Sequence, residues 1–116
     1  MSDEFVDKKT MAEYLDVSAR SIERYVANGM PHKKKMVNAF KPGWCIHYFV
    51  GYHESQPYNL KMRDGLTLTL FGFAIAGHDF RSLKVKANEI AEVMEYTDLQ
   101  IGQSLGILKQ SNLVKG

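Results

Sequence analysis

The sequence predicts a mainly α-helical fold with short β elements, arranged as two helix-turn-helix, winged-helix-like units in tandem that form an internal pseudo-dimer. Three observations lead there. A capped pair of short amphipathic helices is legible between residues 7 and 31, the same pattern returns 79 positions later, and a polar segment, ESQPYNLKMRDG, lies between them. The expected division is residues 1–53 for the first unit, 54–65 for a linker and 66–116 for the second. A chain of 116 residues has room for one ordinary domain or two very small ones. Its 45% apolar and 24% charged residues place it in the soluble globular class.

The first unit begins at Asp7-Lys8-Lys9-Thr10 and runs into Met11-Ala12-Glu13-Tyr14-Leu15. Thr10 is the expected N-cap, because its hydroxyl can satisfy a backbone N–H left unpaired in the first turn. Asp16-Val17-Ser18 ends this helix, and Ser18 is the N-cap candidate for a second helix over residues 19–28. Gly29 supplies the left-handed residue that commonly closes a helix, with Pro31 just beyond. Ala12 and Leu15 share one apolar face, Ile22 and Val26 another, and Val17 plugs the turn.

Two short helices joined by a tight turn describe a helix-turn-helix. In that motif the second helix presents its exposed N-terminal side chains to the major groove. Here those are Ala19, Arg20, Ser21, Glu23 and Arg24, with Tyr25 at the edge. Arginine pairs bidentately with guanine, and a serine hydroxyl bonds a base edge or a phosphate. Glu23 either accepts from cytosine or holds Arg20 or Arg24 in place. The run His32-Lys33-Lys34-Lys35 follows where a wing or turn would meet phosphates. A merely solvated helix face would explain the charges one by one. It does not explain the caps, the closing glycine, the core spacing and the lysine run together.

The charge distribution agrees. The formal net charge is +2, but residues 8–41 carry eight basic and three acidic side chains, whereas residues 66–116 carry five of each. A basic module joined to a neutral remainder suggests a polyanionic partner.

KKTMAEYLDVSARSIERYVANGMP resembles the helix-turn-helix shared by MerR-type regulators, phage excisionases and the small terminase subunits of lambda-like phages. Those sequences similarly run from a basic start through an Ala-Glu helix and a V-S turn to a G-M-P-like ending. The resemblance implies DNA binding, with Ser18, Arg20, Ser21 and Arg24 facing the DNA and the aromatic at Tyr25 packed inward. Lys33, Lys34 and Lys35 complete the expected DNA-binding set. The wing departs from the pattern, because KKKMVNAFKPGW is short and holds a single glycine.

The middle of the chain is ambiguous. WCIHYFVGYH is β-prone by composition, yet Trp44, Tyr48 and Tyr52 recur at helical spacing. The terminase-like families place a similar aromatic helix after their wing, which implies a helix here. Cys45, His47, His53, His32 and His78 match no metal-ligand spacing, so packing is the reading and neither metal nor cofactor is expected. LTLTLFGFAIA (66–76) starts with strand-like alternation, while Phe71, Ala74 and Ile75 would line a helix.

The second unit, VKANEIAEVMEYTDLQIGQSLGILKQ, repeats Ala12, Glu13 and Ile22 as Ala91, Glu92 and Ile101. Leu15, Asp16, Ser18 and Val26 recur in kind as Met94, Glu95, Thr97 and Leu105. It resembles the MarR-like winged-helix core, with Leu108 ending the recognition helix and Leu113-Val114 opening a wing strand. Its exposed positions differ: Asp98, Leu99, Gln100 and Gln103 replace the arginines. Thr97, Gln100 and Gln103 form a possible second DNA site, since glutamine can read adenine. Gly102 and Gly106 bare one face, which suits helix packing within the chain or across a dimer as well as groove entry.

No apolar run reaches the roughly 18 residues of a membrane helix, MSDEF is not a signal peptide, and the single Cys45 fits a reducing compartment. A cytoplasmic location is expected. No nucleophile–base pair or phosphate-cradling loop is evident, so an enzyme is not expected. The leading functional expectation is a sequence-specific double-stranded DNA-binding protein of a conjugative plasmid or phage, acting in transcription regulation or as an origin or transfer accessory factor. The layout is similar to TraN-type accessory proteins of Gram-positive conjugative plasmids. The alternatives are a small terminase subunit or other packaging factor, and a protein-interaction module without DNA binding. Expected partners are duplex DNA and a homo-oligomer or other transfer or phage proteins, with no membrane and no small-molecule ligand.

Overall fold

The computed structural model describes residues 4–34 and 38–111 and is mainly helical. In chain order the elements are α1 (Lys8–Leu15), α2 (Ala19–Ala27), α3 (Pro42–Glu54), a 3-10 turn (Gln56–Tyr58), α4 (Gly65–Ile75), α5 (Phe80–Met94) and α6 (Asp98–Gln110). The short β elements expected from the sequence amount, among the described residues, to two isolated antiparallel bridges, Val6 with Phe40 and Lys33 with Ala39. Each bridge is a reciprocal pair of backbone hydrogen bonds, 2.7–3.0 Å long. Leu113 and Val114, expected to open a wing strand, lie outside the described residues.

Helix boundaries follow local chemistry. The N-cap of α1 is Asp7, not Thr10: the Asp7 carboxylate accepts from the Thr10 N–H at 2.8 Å. Thr10's side chain and N–H hold the Asp7 carboxyl below its usual range. An ionised carboxylate at the positive end of a helix outcompetes a hydroxyl, which displaces the start by one turn. Ser18 caps α2 as expected. Asn28 ends it, Gly29 follows at φ 105°, and the Met30 N–H returns to the Tyr25 carbonyl at 3.0 Å.

WCIHYFVGYH is helical. Pro42 opens α3 at a position where its missing N–H costs nothing, and Trp44, Cys45, Tyr48 and Gly51 bury one side. LTLTLFGFAI is helical too, despite its alternating start. Every residue of α4 from Gly65 to Ala74 is buried, so this helix is apolar all round and runs through the centre of the molecule. The threonines that imitate strand alternation are buried with their hydroxyls satisfied. Thr67 shares a hydrogen bond with Ser104 at 2.7 Å, and Thr69 donates to the Gly65 carbonyl at 2.6 Å.

α3 and α4 form the most extensive helix pair. Their backbones touch: a Cβ on Gly51 would lie 1.8 Å from the Leu68 carbonyl oxygen, and one on Gly72 would lie 1.9 Å from that of His47. Two apolar clusters flank this pair. One gathers Met11, Ile22, Met30, Phe40 and Tyr48 around α1 and α2; the other gathers Phe71, Leu83, Ile90, Ile101 and Leu108 around α5 and α6. Trp44, which precedes the 54–65 connection, packs into the second cluster, and Leu68, which follows it, packs into the first. Within the connection Arg63 folds back, donating to the Tyr52 carbonyl at 2.9 Å and lying over its ring.

The turns of the two-helix corners α1–α2 and α5–α6 share their backbone conformation at the 79-residue offset. Ser18 and Thr97 are both N-caps, and Asp16 and Glu95 are both left-handed closing residues. Ala12 and Ala91, and Ile22 and Ile101, are buried pairwise. No helix among the described residues is long and apolar enough to cross a membrane.

Candidate nucleic-acid interface

The α2 helix buries Ile22 and half-buries Tyr25 and Val26, which leaves Arg20, Glu23 and Arg24 outward. Tyr25 points in, edge-on to Tyr48, Phe49 and Tyr52 at 5.7–6.2 Å between ring centres. This aromatic anchor fixes the rotation of α2 about its own axis, and so the direction of the arginines.

The polar residues at the start of α2 are already linked. Ser18 Oγ accepts from the Ser21 N–H at 3.1 Å, the two hydroxyls lie 3.1 Å apart, and Arg24 Nη2 donates to Ser21 Oγ at 3.3 Å. Ser18, Ser21 and Arg24 therefore form one hydrogen-bonded line at the helix entrance. Arg20 makes no hydrogen bond or ion pair among the described residues. Glu23 holds neither arginine; it pairs with Lys8 of α1 at 3.1 Å. Being exposed, that pair is worth under about 1 kcal/mol.

The lysine run divides. Lys33 is half-buried, bridged to Ala39 through its backbone, with its ammonium 5.2 Å from the centre of the Phe5 ring. Lys34 is exposed, and Lys35 lies outside the described residues. His32 is buried between the two corners: its ring Nδ1 lies 2.8 Å from the Met30 carbonyl, and its backbone N–H donates to the Met94 sulfur at 3.3 Å. Sequence reasoning missed one feature here. The Lys8-Lys9 start of α1 and Asn38 are brought beside α2 around a groove of about 710 Å³ that has Val26 and Phe40 in its lining. The basic start is visible in the chain, but its position beside Glu23 is not.

On the second corner, Gln100 is committed to a capping box. Its Oε1 accepts from the Thr97 N–H at 2.8 Å while Thr97 Oγ1 accepts from the Gln100 N–H at 3.2 Å. A bidentate pair with adenine uses that same oxygen, so the cap and base reading compete. Gln103 is exposed, and Leu99 is 70% exposed. Neither Gly102 nor Gly106 has a neighbour within 4 Å of an added Cβ, so the face they bare is not packed against the described part of the chain.

The residues weighed as metal ligands have separate packing roles. Cys45 is buried, its thiol pushed up to about 12 by desolvation, and it donates to the Pro31 carbonyl at 3.5 Å. His47 stacks on Phe73 at 3.9 Å, its Nδ1 lying 2.6 Å from the Gly43 carbonyl. His78 bonds Ser82 at 2.7 Å. Among the described residues no three His, Cys, Asp or Glu side chains are grouped to hold a metal. Comparison with family models, curated proteins and solved structures returns no match.

Proposed function

We propose that the chain is a sequence-specific duplex-DNA-binding protein, with α2 as the reading helix of a winged helix-turn-helix and the α5–α6 corner as a second copy that positions it. The observation that carries this reading is the outward pair Arg20 and Arg24, set beside the hydroxyl line Ser18–Ser21 on a helix whose rotation Tyr25 fixes. Arg20, with no intramolecular partner to give up among the described residues, reads a guanine edge. Arg24 exchanges its bond to Ser21 for a base or phosphate. Lys33, whose backbone is bridged to Ala39, and Lys34 meet the DNA backbone, with Lys35 next in the chain as the third phosphate contact.

The matching turn conformation at the 79-residue offset supports the tandem, pseudo-dimeric arrangement. The absence of arginine from α6 and the capped Gln100 favour the first corner as the base reader. A role in transcription regulation or in transfer or excision of a mobile element rests on the resemblance of KKTMAEYLDVSARSIERYVANGMP alone.

The test is selection of bound duplexes from a random pool, followed by affinity measurement of Arg20→Ala and Arg24→Ala on the selected site. Each substitution is expected to cost about 1–3 kcal/mol and to relax the preferred base it contacts. An Arg20/Arg24 double alanine variant with unchanged affinity and footprint overturns the assignment.

A further inference from the structure

The even charge balance of residues 66–116 conceals a separation in space. Along α5 the exposed charges run from Arg81 in the first turn and Lys84 in the second to Glu89, Glu92 and, at the closing residue, Glu95. Past the Asp79 N-cap, whose carboxylate suits the macrodipole, this order opposes it, since the macrodipole favours acids at the N-terminus and bases at the C-terminus. α5 has neither an acid in its first turn nor a base in its last.

The same end of α5 carries a groove. Asp79, Phe80, Arg81, Lys84, Val85 and Asn88 line an open depression of about 640 Å³. A further cation arrives from α6, with the Lys109 ammonium 5.3 Å from the centre of the Phe80 ring. Neither Arg81 nor Lys84 makes a hydrogen bond or ion pair among the described residues. The groove's one acid, Asp79, is engaged as the N-cap of α5, accepting from the Ser82 N–H at 2.9 Å. Lys86, on the same helix, is already engaged with Glu89 at 3.9 Å.

We infer that this groove seats the sugar-phosphate backbone of nucleic acid. Arg81 and Lys84 hold phosphates, Lys109 adds a third positive charge, and sugar carbons rest on Val85. One N–H of the Asn88 amide already donates to the Lys84 carbonyl at 2.8 Å, which leaves its second N–H for a backbone oxygen. The inference rests on the duplex-binding reading above and extends it, moving the second corner's contact from the Thr97–Gln100 end of α6 to the start of α5. Nucleic acid is favoured over an anionic membrane because a membrane-lying helix presents a broad apolar face. The outer face of α5 offers one large exposed apolar side chain, Val85.

The experiment compares the full chain with Arg81→Ala/Lys84→Ala for binding to a duplex of random sequence across a salt titration. Circular dichroism melts check the fold, and Arg81→Gln/Lys84→Gln serves as a second variant. The slope of log affinity against log salt is expected to flatten by about 2, at about 0.9 for each phosphate no longer neutralised. Random-duplex affinity at low salt is expected to drop at least about tenfold, with the base preference of the selected site unchanged. An unchanged slope in the variants, when the wild type binds duplex, overturns this groove and leaves α2 standing. A wild type that binds no duplex overturns both. Loss confined to binding of phosphatidylserine vesicles, with duplex binding intact, also overturns the assignment, in favour of a membrane contact.

Discussion

Asp16 and Glu95, 79 positions apart, close the first helix of their respective corners in the same left-handed conformation, φ 55° and 60°. The residue after each returns its N–H to a buried alanine carbonyl, Val17 to Ala12 at 3.0 Å and Tyr96 to Ala91 at 3.1 Å. A hydroxyl N-cap follows directly, Ser18 or Thr97. What the repeat preserves is a backbone solution for a tight turn, while the exposed side chains differ.

That solution carries strain. A left-handed residue with a Cβ costs about 1–2 kcal/mol, less for Asp, whose short polar side chain tolerates the region. Glu95→Gly should therefore stabilise the protein by up to about 1 kcal/mol after glycine's extra unfolded-state entropy is subtracted. Asp16→Gly should gain less. Thermal melts of the two variants check the order, and a drop in midpoint for Glu95→Gly would show that its side chain matters more than its backbone.

The glycines divide into two groups by their surroundings. Gly51→Ala or Gly72→Ala drives a methyl into a neighbouring backbone carbonyl, 1.8 or 1.9 Å away, where no side chain can move aside. Each should cost upwards of about 3 kcal/mol. Gly102→Ala and Gly106→Ala meet nothing within 4 Å and should each gain up to about 1 kcal/mol from helix propensity. Urea midpoints of the four single variants measure both effects.

Gln100 has a structural task as the partner of Thr97 in the capping box of α6. Gln100→Ala removes half of the capping box and should lower stability by about 1 kcal/mol. Affinity for the selected duplex should stay unchanged under conditions where the variant is folded. Measuring both quantities distinguishes a cap from a contact.

Buried Cys45 predicts the alkaline behaviour. Desolvation raises its folded-state pKa from 9.0 to about 12, so the unfolded chain loses the thiol proton first. The stabilisation is fully present below pH 9 and declines as pH rises from there towards about 12, by at most about 1.4 kcal/mol per pH unit. Tyr48, raised by burial from 10.0 to about 12, acts in the same direction. Urea midpoints between about pH 8 and about pH 10.5 should fall in the wild type and fall less steeply in Cys45→Ala.

Local chemistry is readable from the chain. The end of α2, its Ser18 cap, Gly29 and the outward phase of Arg20 and Arg24 all follow from neighbours within one or two turns. The cap of α1 is not, because Asp7 and Thr10 both carry capping side chains and the carboxylate of Asp7 wins by charge. The partner of Glu23 is equally hidden, since Lys8 comes from another helix. The α5 groove is invisible to a count of charges over residues 66–116, which averages what the helix separates.

The sequence by itself determined the two corners, because caps, closing residues and apolar phase act over a few residues, and the offset of 79 repeats them. Only tertiary structure decided that WCIHYFVGYH and LTLTLFGFAI are helices. Their composition suits a strand as well, and the choice falls to contacts that no local rule contains: Gly51 on Leu68, Gly72 on His47, and the Thr67 hydroxyl on Ser104. A helix buried on every side has no polar face to mark its period, so its identity is set by what surrounds it.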